Sequence, residues 1–117
     1  MRKITQDASN ALKNGGNFKR NNTKVVNIRT WNLETTHMYL HWNCIAEYHK
    51  HSNILWLSNC GWETPTTKER LNGILKAFGL GYIKQQNFQW YYVDEMGQEP
   101  FNHDGEFDLN CNYEDND

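Results

Sequence analysis

The chain has 117 residues, enough for one domain with its own core, and its 14% aromatic content supplies the apolar surface that such a core requires. No apolar run reaches about 18 residues, which excludes a membrane-spanning helix, and the first twelve residues lack the apolar segment of a signal peptide. The formal net charge of -2 is unevenly divided, because all 12 Lys and Arg precede residue 85 whereas acids dominate from Asp94 onward.

This division of charge predicts two parts. Residues 1–93 are expected to form a single α+β domain with a basic surface, and residues 94–117 an acidic C-terminal tail that also carries aromatic residues. Three cysteines, Cys44, Cys60 and Cys111, are odd in number and widely spaced, which is not the pattern of a disulfide framework. They indicate reduced thiols and therefore a reducing compartment such as a cytoplasm.

The first predicted element is an N-terminal helix. Thr5 is its expected N-cap, and the pair Gly15-Gly16 is expected to end it. Residues 17–23 are mostly polar and are predicted to form a loop. The small and apolar residues that recur at helical spacing are Ile4, Ala8, Ala11 and Leu12.

From Lys24 onward, apolar and polar residues alternate with the period of a strand. Because Asn accepts the positive φ of tight turns, turns are expected at Trp42-Asn43 and at residues 51–53. The result is an antiparallel meander of four strands. These strands are expected to begin near Lys24, His37, Cys44 and Ile54.

A second helix is predicted at residues 66–78. Thr66 and Glu69 have the spacing of a capping box, and Gly79 is expected to stop the helix. Gly73 inside this helix indicates close packing against the sheet. The apolar stripe of the helix comprises Leu71, Ile74, Leu75 and Phe78.

Residues 82–93 are predicted to form a closing hairpin that turns near Asn87. The predicted fold class is therefore α+β. It consists of a small antiparallel sheet, made of a four-stranded meander plus a closing hairpin, with one helix before the meander and the second helix at residues 66–78.

Three sequence blocks stand out: MYLHWNCIA (residues 38–46), LSNCGWETPTTKERLNGIL (residues 57–75) and IKQQNFQWYY (residues 83–92). Together with the opening MRKITQDASNAL, they resemble a group of small, uncharacterised proteins encoded by tailed bacteriophages. The resemblance covers most of residues 1–93. It implies a phage protein located in the host bacterial cytoplasm, and it carries over no catalytic residue.

Patterns for catalysis or metal binding are weak. His37 and His41 would share one face of a strand, and Cys44 would lie opposite His41 if the turn is at Trp42-Asn43. Zinc sites usually have close Cys or His pairs on both sides of a turn, which this sequence lacks, so neither a metal nor a cofactor is predicted. Cys60 precedes a helix, but it is explained more simply as a small residue buried in a turn. We therefore expect no enzyme activity and no catalytic residue.

The acidic tail is the first candidate binding site. Its spaced negative charges are able to imitate nucleic-acid phosphates and occupy a basic groove on a host protein, while its aromatic residues supply anchors. The alternative is a disordered end or a final strand. The candidate partner-binding residues are Asp94, Glu95, Glu99, Phe101, Asp104, Glu106, Phe107 and Asp108.

The basic first part of the chain is the second candidate site. Clustered cations bind phosphates, and a nearby aromatic such as Trp31 offers a surface on which bases stack. The alternative is an ordinary solvated surface. The residues of this basic patch are Lys13, Lys19, Arg20, Lys24 and Arg29.

The sequence as a whole predicts a non-enzymatic phage accessory protein that binds a host macromolecule. The leading hypothesis is a protein-binding inhibitor or modulator of a host system, anti-phage defence included, whose partner is a host protein with a basic groove. The alternative is a small nucleic-acid-binding protein that uses the basic N-terminal part. No membrane partner is expected, and the oligomeric state is left open.

Overall fold

The computed structural model of the chain describes residues 1–110, which form two helices and nine strands. The α+β class predicted from the sequence is confirmed. In chain order the elements are α1 (Lys3–Asn14), β1 (Phe18–Arg20), β2 (Thr23–Arg29), β3 (Glu34–Leu40), β4 (Asn43–His49), β5 (Ile54–Ser58), α2 (Pro65–Ala77), β6 (Tyr82–Gln86), β7 (Gln89–Asp94), β8 (Gly97–Pro100) and β9 (Asp104–Asp108).

Two antiparallel sheets contain these strands. The larger sheet has six strands in the order β1-β2-β3-β4-β5-β9, and the smaller has three in the order β6-β7-β8. One core joins the helices, the smaller sheet and one face of the larger sheet, since Leu12 of α1, Ile74 of α2, Trp90 of β7 and Leu55 of β5 are fully buried members of the same apolar cluster. The helices and the smaller sheet therefore cover one face of the six-stranded sheet.

The opposite face of the larger sheet, called the open sheet face below, is not covered by any described element. The outward-facing side chains along it are half-buried or exposed, in contrast to inward neighbours such as Val25 and Met38, which are buried. Strand register arranges the outward residues in three rows. These rows are Lys19–Lys24–Tyr39–Cys44, Val26–His37–Glu47–Trp56–Glu106 and Ile28–Thr35–His49–Ile54–Asp108.

The predicted loop at residues 17–23 is wrong, because this segment contains β1 and the start of β2. Phe18 pairs with Val25 across a tight turn, in which Asn21 adopts a left-handed φ of 52°. The polar composition of the segment, which suggested a loop, is explained by its position at the edge of the sheet, where only alternate side chains meet the core. The meander therefore has five consecutive strands rather than four.

The turn predicted at Trp42-Asn43 lies one residue earlier, at His41-Trp42. Both turn residues have left-handed backbone angles, with φ values of 50° and 72°, as a two-residue type I′ hairpin requires. Asn43 instead begins β4 and pairs with Leu40. Cys44 consequently pairs with Tyr39 and not with His41, which corrects the predicted arrangement of these side chains.

Both helices begin earlier than predicted. Arg2 rather than Thr5 is the N-cap of α1, and Thr64 rather than Thr66 caps α2, where its hydroxyl accepts a hydrogen bond of 3.1 Å from the Thr67 N–H. Pro65 occupies the first helical position, for which its fixed φ is suited. Gly73 allows close packing against α1 and not against the sheet, since a Cβ at this position would clash with the Thr5 methyl group.

Residues beyond Val93 continue the fold. β8 pairs with β7, and β9 adds a sixth strand beside β5, with Phe107 opposite Leu55. Phe101, between these two strands, is only 3% exposed and belongs to the core. The boundary expected at residue 93 is therefore not visible in the structure, and residues 111–117 of the predicted tail lie outside the described residues.

Candidate functional site: an acidic groove and an open sheet face

The predicted partner-binding acids meet in a groove between the smaller sheet and β9. Its volume is about 580 Å³, and its floor is aromatic. Tyr92 packs edge-to-face on Phe107 with ring centroids 4.9 Å apart, and Tyr48 packs on Phe78 in the same way. The carboxylates that line this acidic groove are Asp94, Glu99, Glu106 and Asp108.

Three strands position these acids, and Asp94 is the last residue of β7. In β9, Gly105 and Phe107 face inward, while Glu106 and Asp108 project on the open sheet face and border the groove because β9 is the edge strand. Glu99 projects from β8. Two predicted acids lie outside the groove lining, because Glu95 is in the turn after β7 and Asp104 is opposite Ser58 at the start of β9.

The acids between Asp94 and Asp108 are all exposed, and within residues 1–110 none of them forms an ion pair. The negative charges of these acids also act on Tyr92 in the floor of the groove. Burial, opposed by the hydrogen bond from the Gly81 N–H and aided by the charges of Asp94 and Glu99, raises the pKa of Tyr92. The groove thus has four carboxylates and one lysine, Lys13, around an aromatic floor, and its net charge is negative.

The two predicted aromatic anchors have different roles from the acids. Phe101 is buried in the core, and Phe107 is half-buried against Tyr92. Both rings therefore stabilise the segment on its own domain. Of the residues predicted to bind a partner, only the acids present freely exposed side chains.

The five residues of the predicted basic patch do not form one surface. Lys19 and Lys24 are cross-strand neighbours at one edge of the open sheet face. Arg20 forms an ion pair with Asp7 at 3.4 Å, and Arg29, at the other end of β2, forms one with Glu34 at 3.2 Å. Lys13 is on α1 and lines the acidic groove.

A second groove, of about 260 Å³, lies beside Lys19 and Lys24. Tyr39, His41 and Trp42 also line it. Trp42 is 81% exposed and holds a left-handed φ, a conformation that is unfavourable for a bulky side chain. Because burial does not account for Trp42, this strained and exposed indole is a candidate contact residue. We call this surface the tryptophan groove.

The centre of the open sheet face brings His37, Cys44 and Glu47 together. The Cys44 Sγ lies 3.9 Å from the His37 Nδ1, and one ligand atom of each residue lies within 4.8 Å of the others. Burial, followed by the charge of Glu47, raises the pKa of the Cys44 thiol to about 11. His41, the other histidine considered as a ligand, lies in the hairpin turn, away from this group.

Sequence reasoning missed Trp42 and Glu47 as site residues. Trp42 was assigned to the correct hairpin, but a tight turn of His and Trp lacks the Asn or Gly that normally marks one. Glu47 is three residues from Cys44, a spacing that places two residues on opposite faces of a regular strand. Only an irregularity in the strand brings them together, and the sequence gives no clear signal for it.

No helix among residues 1–110 is both long and apolar enough to cross a membrane. The chain was also compared with known proteins. No curated protein and no solved structure matches it. A family model described as Kyanoviridae Gp96 protein matches residues 1–108, which extends past residue 93 to the last residue of β9. The chain therefore belongs to the Kyanoviridae Gp96 protein family, a family of phage proteins.

Proposed function

We propose that this protein is a non-enzymatic phage accessory protein that binds a basic surface of a host protein through the acidic groove. By occupying that surface it inhibits or modulates a host system in the infected cell, anti-phage defence included. The observation that carries this proposal is the gathering of four exposed carboxylates, unpaired among the described residues, around a single groove.

Charge and shape support the same kind of partner. The carboxylates supply long-range attraction and fast encounter with a basic surface, and the aromatic floor offers area to the aliphatic stems of Lys or Arg. Phe107 and Tyr92 are already packed together, so the floor requires little ordering when a partner binds. A protein with a Lys- or Arg-rich segment fits both features.

The test uses substitutions in the full chain, because deletion from residue 94 onward would remove β8, β9 and the buried Phe101. The wild-type protein is used to capture a host protein from lysate of infected cells, and the affinity of the purified pair is measured. Glu99→Gln with Glu106→Gln is expected to weaken binding about 5- to 30-fold, since each exposed ion pair is worth up to about 1 kcal/mol. The loss should shrink as salt concentration rises.

The matched control is Glu63→Gln with Glu95→Gln. This pair removes the same charge from exposed positions outside the groove lining and should leave the affinity nearly unchanged. If the two double variants lose affinity equally, net charge and not the groove controls binding. If neither loses affinity, the acidic groove is not the contact surface and the proposal fails.

A second candidate function, the binding of single-stranded nucleic acid, is favoured by the tryptophan groove. Two lysines that form no ion pair within residues 1–110 lie beside Tyr39 and the exposed Trp42. This is the combination of phosphate attraction and base stacking that single-strand binding uses. The groove is confined to one edge of the sheet. The acidic residues elsewhere on the surface oppose the approach of a polyanion, so we rank this function second.

Neutralising these lysines separates binding from folding. Lys19→Gln with Lys24→Gln is expected to change the free energy of unfolding by less than about 0.5 kcal/mol, because both side chains are exposed. If the second function holds, the same variant loses affinity for a single-stranded oligonucleotide and its salt dependence becomes shallower. Lys68→Gln with Lys76→Gln on α2 is the charge-matched control. A large loss of stability in the Lys19 and Lys24 variant would show that these residues are structural.

A further inference from the structure

A β-bulge shapes the centre of the open sheet face. The pairing of β3 with β4 shifts between Met38 and Tyr39, so that Met38 pairs with Ala46 and Tyr39 with Cys44, leaving Ile45 as the extra residue. The extra residue places Cys44 on the same face of the sheet as Glu47. Bulges commonly re-aim a side chain in this way, and they are frequent next to functional sites.

Three different ligand types meet at this bulge. His37 pairs directly with Glu47 across the two strands, and Cys44 is next to Tyr39, two residues along β3 from His37. The Cys44 Sγ and His37 Nδ1 are 3.9 Å apart, and the carboxylate of Glu47 lies within 4.8 Å of both. Around a tetrahedral zinc ion, ligand atoms are about 3.5 Å apart, so small side-chain movements suffice to bring the three atoms to bonding distance.

We propose that His37, Cys44 and Glu47 form a zinc-binding site on the open sheet face. A thiolate, an imidazole and a carboxylate are all ligands of Zn²⁺ in proteins, and the mixed set favours this borderline ion over the hard cations Mg²⁺ and Ca²⁺, which prefer oxygen ligands alone. Three protein ligands leave one position, and this position faces the uncovered side of the sheet, where water or a partner's side chain is able to complete the coordination.

A neighbouring histidine holds the carboxylate. The His49 Nε2 lies 3.0 Å from the Glu47 Oε1, and both side chains are partly buried on the same face. A hydrogen-bonded partner of this kind orients a metal-ligating carboxylate and restricts its motion. His49 is therefore a positioning residue of the site, next to the three ligands.

Zinc binding changes the protonation of Cys44. The thiol now donates a hydrogen bond to the Ala46 carbonyl oxygen at a distance of 3.4 Å. When Zn²⁺ binds, the thiol loses its proton to solvent and the sulfur bonds to the metal as a thiolate. The charges of the two negative ligands, Cys44 and Glu47, then balance that of the ion without another acid.

The experiment measures metal binding to the untagged full chain carrying Cys111→Ser, so that Cys44 and Cys60 are the remaining thiols. The protein is incubated with excess Zn²⁺ and then dialysed against buffer that contains neither zinc nor chelator. One bound Zn²⁺ per chain is expected. Titration with Co²⁺ should produce a thiolate-to-cobalt charge-transfer band in the near ultraviolet. Cys44→Ser should abolish this band, and His49→Gln should weaken metal affinity about 10- to 100-fold.

Two controls make the result specific. Cys60→Ser removes the other thiol, and His51→Ala removes an exposed histidine from the turn after β4, so both should keep the band and the stoichiometry. Glu47→Gln, an isosteric change on the sheet surface, tests the site independently if Cys44→Ser does not fold. Absence of stoichiometric zinc, or binding that survives both Cys44→Ser and Glu47→Gln, would overturn the proposal.

Discussion

Replacing Arg70 by Ala is expected to lower the free energy of unfolding by about 2–5 kcal/mol, as truncation of a large, fully buried side chain usually does. The Arg70 side chain is fully buried although it carries a charge. Its guanidinium donates hydrogen bonds to the Thr23 hydroxyl at 3.0 Å, to the Thr5 hydroxyl at 2.8 Å and to the Glu69 carboxylate at 2.6 Å. One side chain thereby connects α2 to α1 and to β2.

The loss has two physical causes. Removing the guanidinium leaves the hydroxyl groups of Thr5 and Thr23, both buried, without this donor, and it empties the volume that the long side chain fills. Arg70→Lys keeps the charge but not the planar group with several donors, so an intermediate loss is expected. Urea unfolding followed by fluorescence measures both variants against Lys76→Ala, an exposed position on the same helix. A loss below about 1 kcal/mol for Arg70→Ala would contradict this account.

Lowering the pH should remove part of the stabilisation that the contacts of Glu69 and Arg70 provide. Burial by itself raises the pKa of Glu69, but hydrogen bonds from the Arg2 N–H and the Thr5 hydroxyl, with the charge of Arg70, hold it below its ordinary value of 4.5. A carboxyl with a lowered pKa in the folded state stabilises the protein fully above the unfolded-state pKa. The contribution is then lost as pH falls through the folded-state pKa. Wild-type stability should therefore decline below about pH 4.5 more steeply than that of Arg70→Ala.

The same residues show why part of the fold was predictable. The prediction of the apolar stripe of α2 is confirmed for Leu71, Ile74 and Leu75, which are buried. It succeeds because a 3.6-residue period identifies the helix face that meets a core. Arg70 and Glu69 were not predicted to form a buried network. The capping box predicted for Thr66 and Glu69 is wrong, since Thr64 caps α2. Sequence spacing within one helix carries no information on α1, which supplies the Glu69 partners Arg2 and Thr5.

The candidate sites were predicted unevenly for a similar reason. The acids of β8 and β9 were identified from composition, yet composition describes a tail and not the pairing of Leu55 with Phe107 that orders it. Charge counts also grouped Lys19 with Arg29, although the two residues lie at different places on the sheet. Charge counts fail here because strand register, which they do not contain, determines which cations are neighbours. The group at Cys44 depends on a bulge, which breaks the two-residue period on which strand prediction rests.

The second large effect is expected from Leu71→Ala, which should lower the free energy of unfolding by about 2–5 kcal/mol. Leu71 lies on α2 and is fully buried in the apolar cluster that α2 shares with α1 and both sheets. Truncation removes the apolar area that the side chain buries and leaves a cavity that its neighbours fill only in part. Because Trp90 and Leu57 come from two different sheets in the same cluster, little collapse around the cavity is expected.

Urea unfolding monitored by circular dichroism measures this change, with Lys76→Ala as the exposed control on α2. The midpoint should fall while the dependence on denaturant stays constant, which identifies a change in stability rather than in the compactness of either state. Phe78, the last residue of the predicted stripe, is only half-buried and caps the helix, so its truncation should cost less than that of Leu71. If Leu71→Ala lowers the free energy of unfolding by less than about 0.5 kcal/mol, the effect is that of a surface substitution, and this side chain lies outside the core.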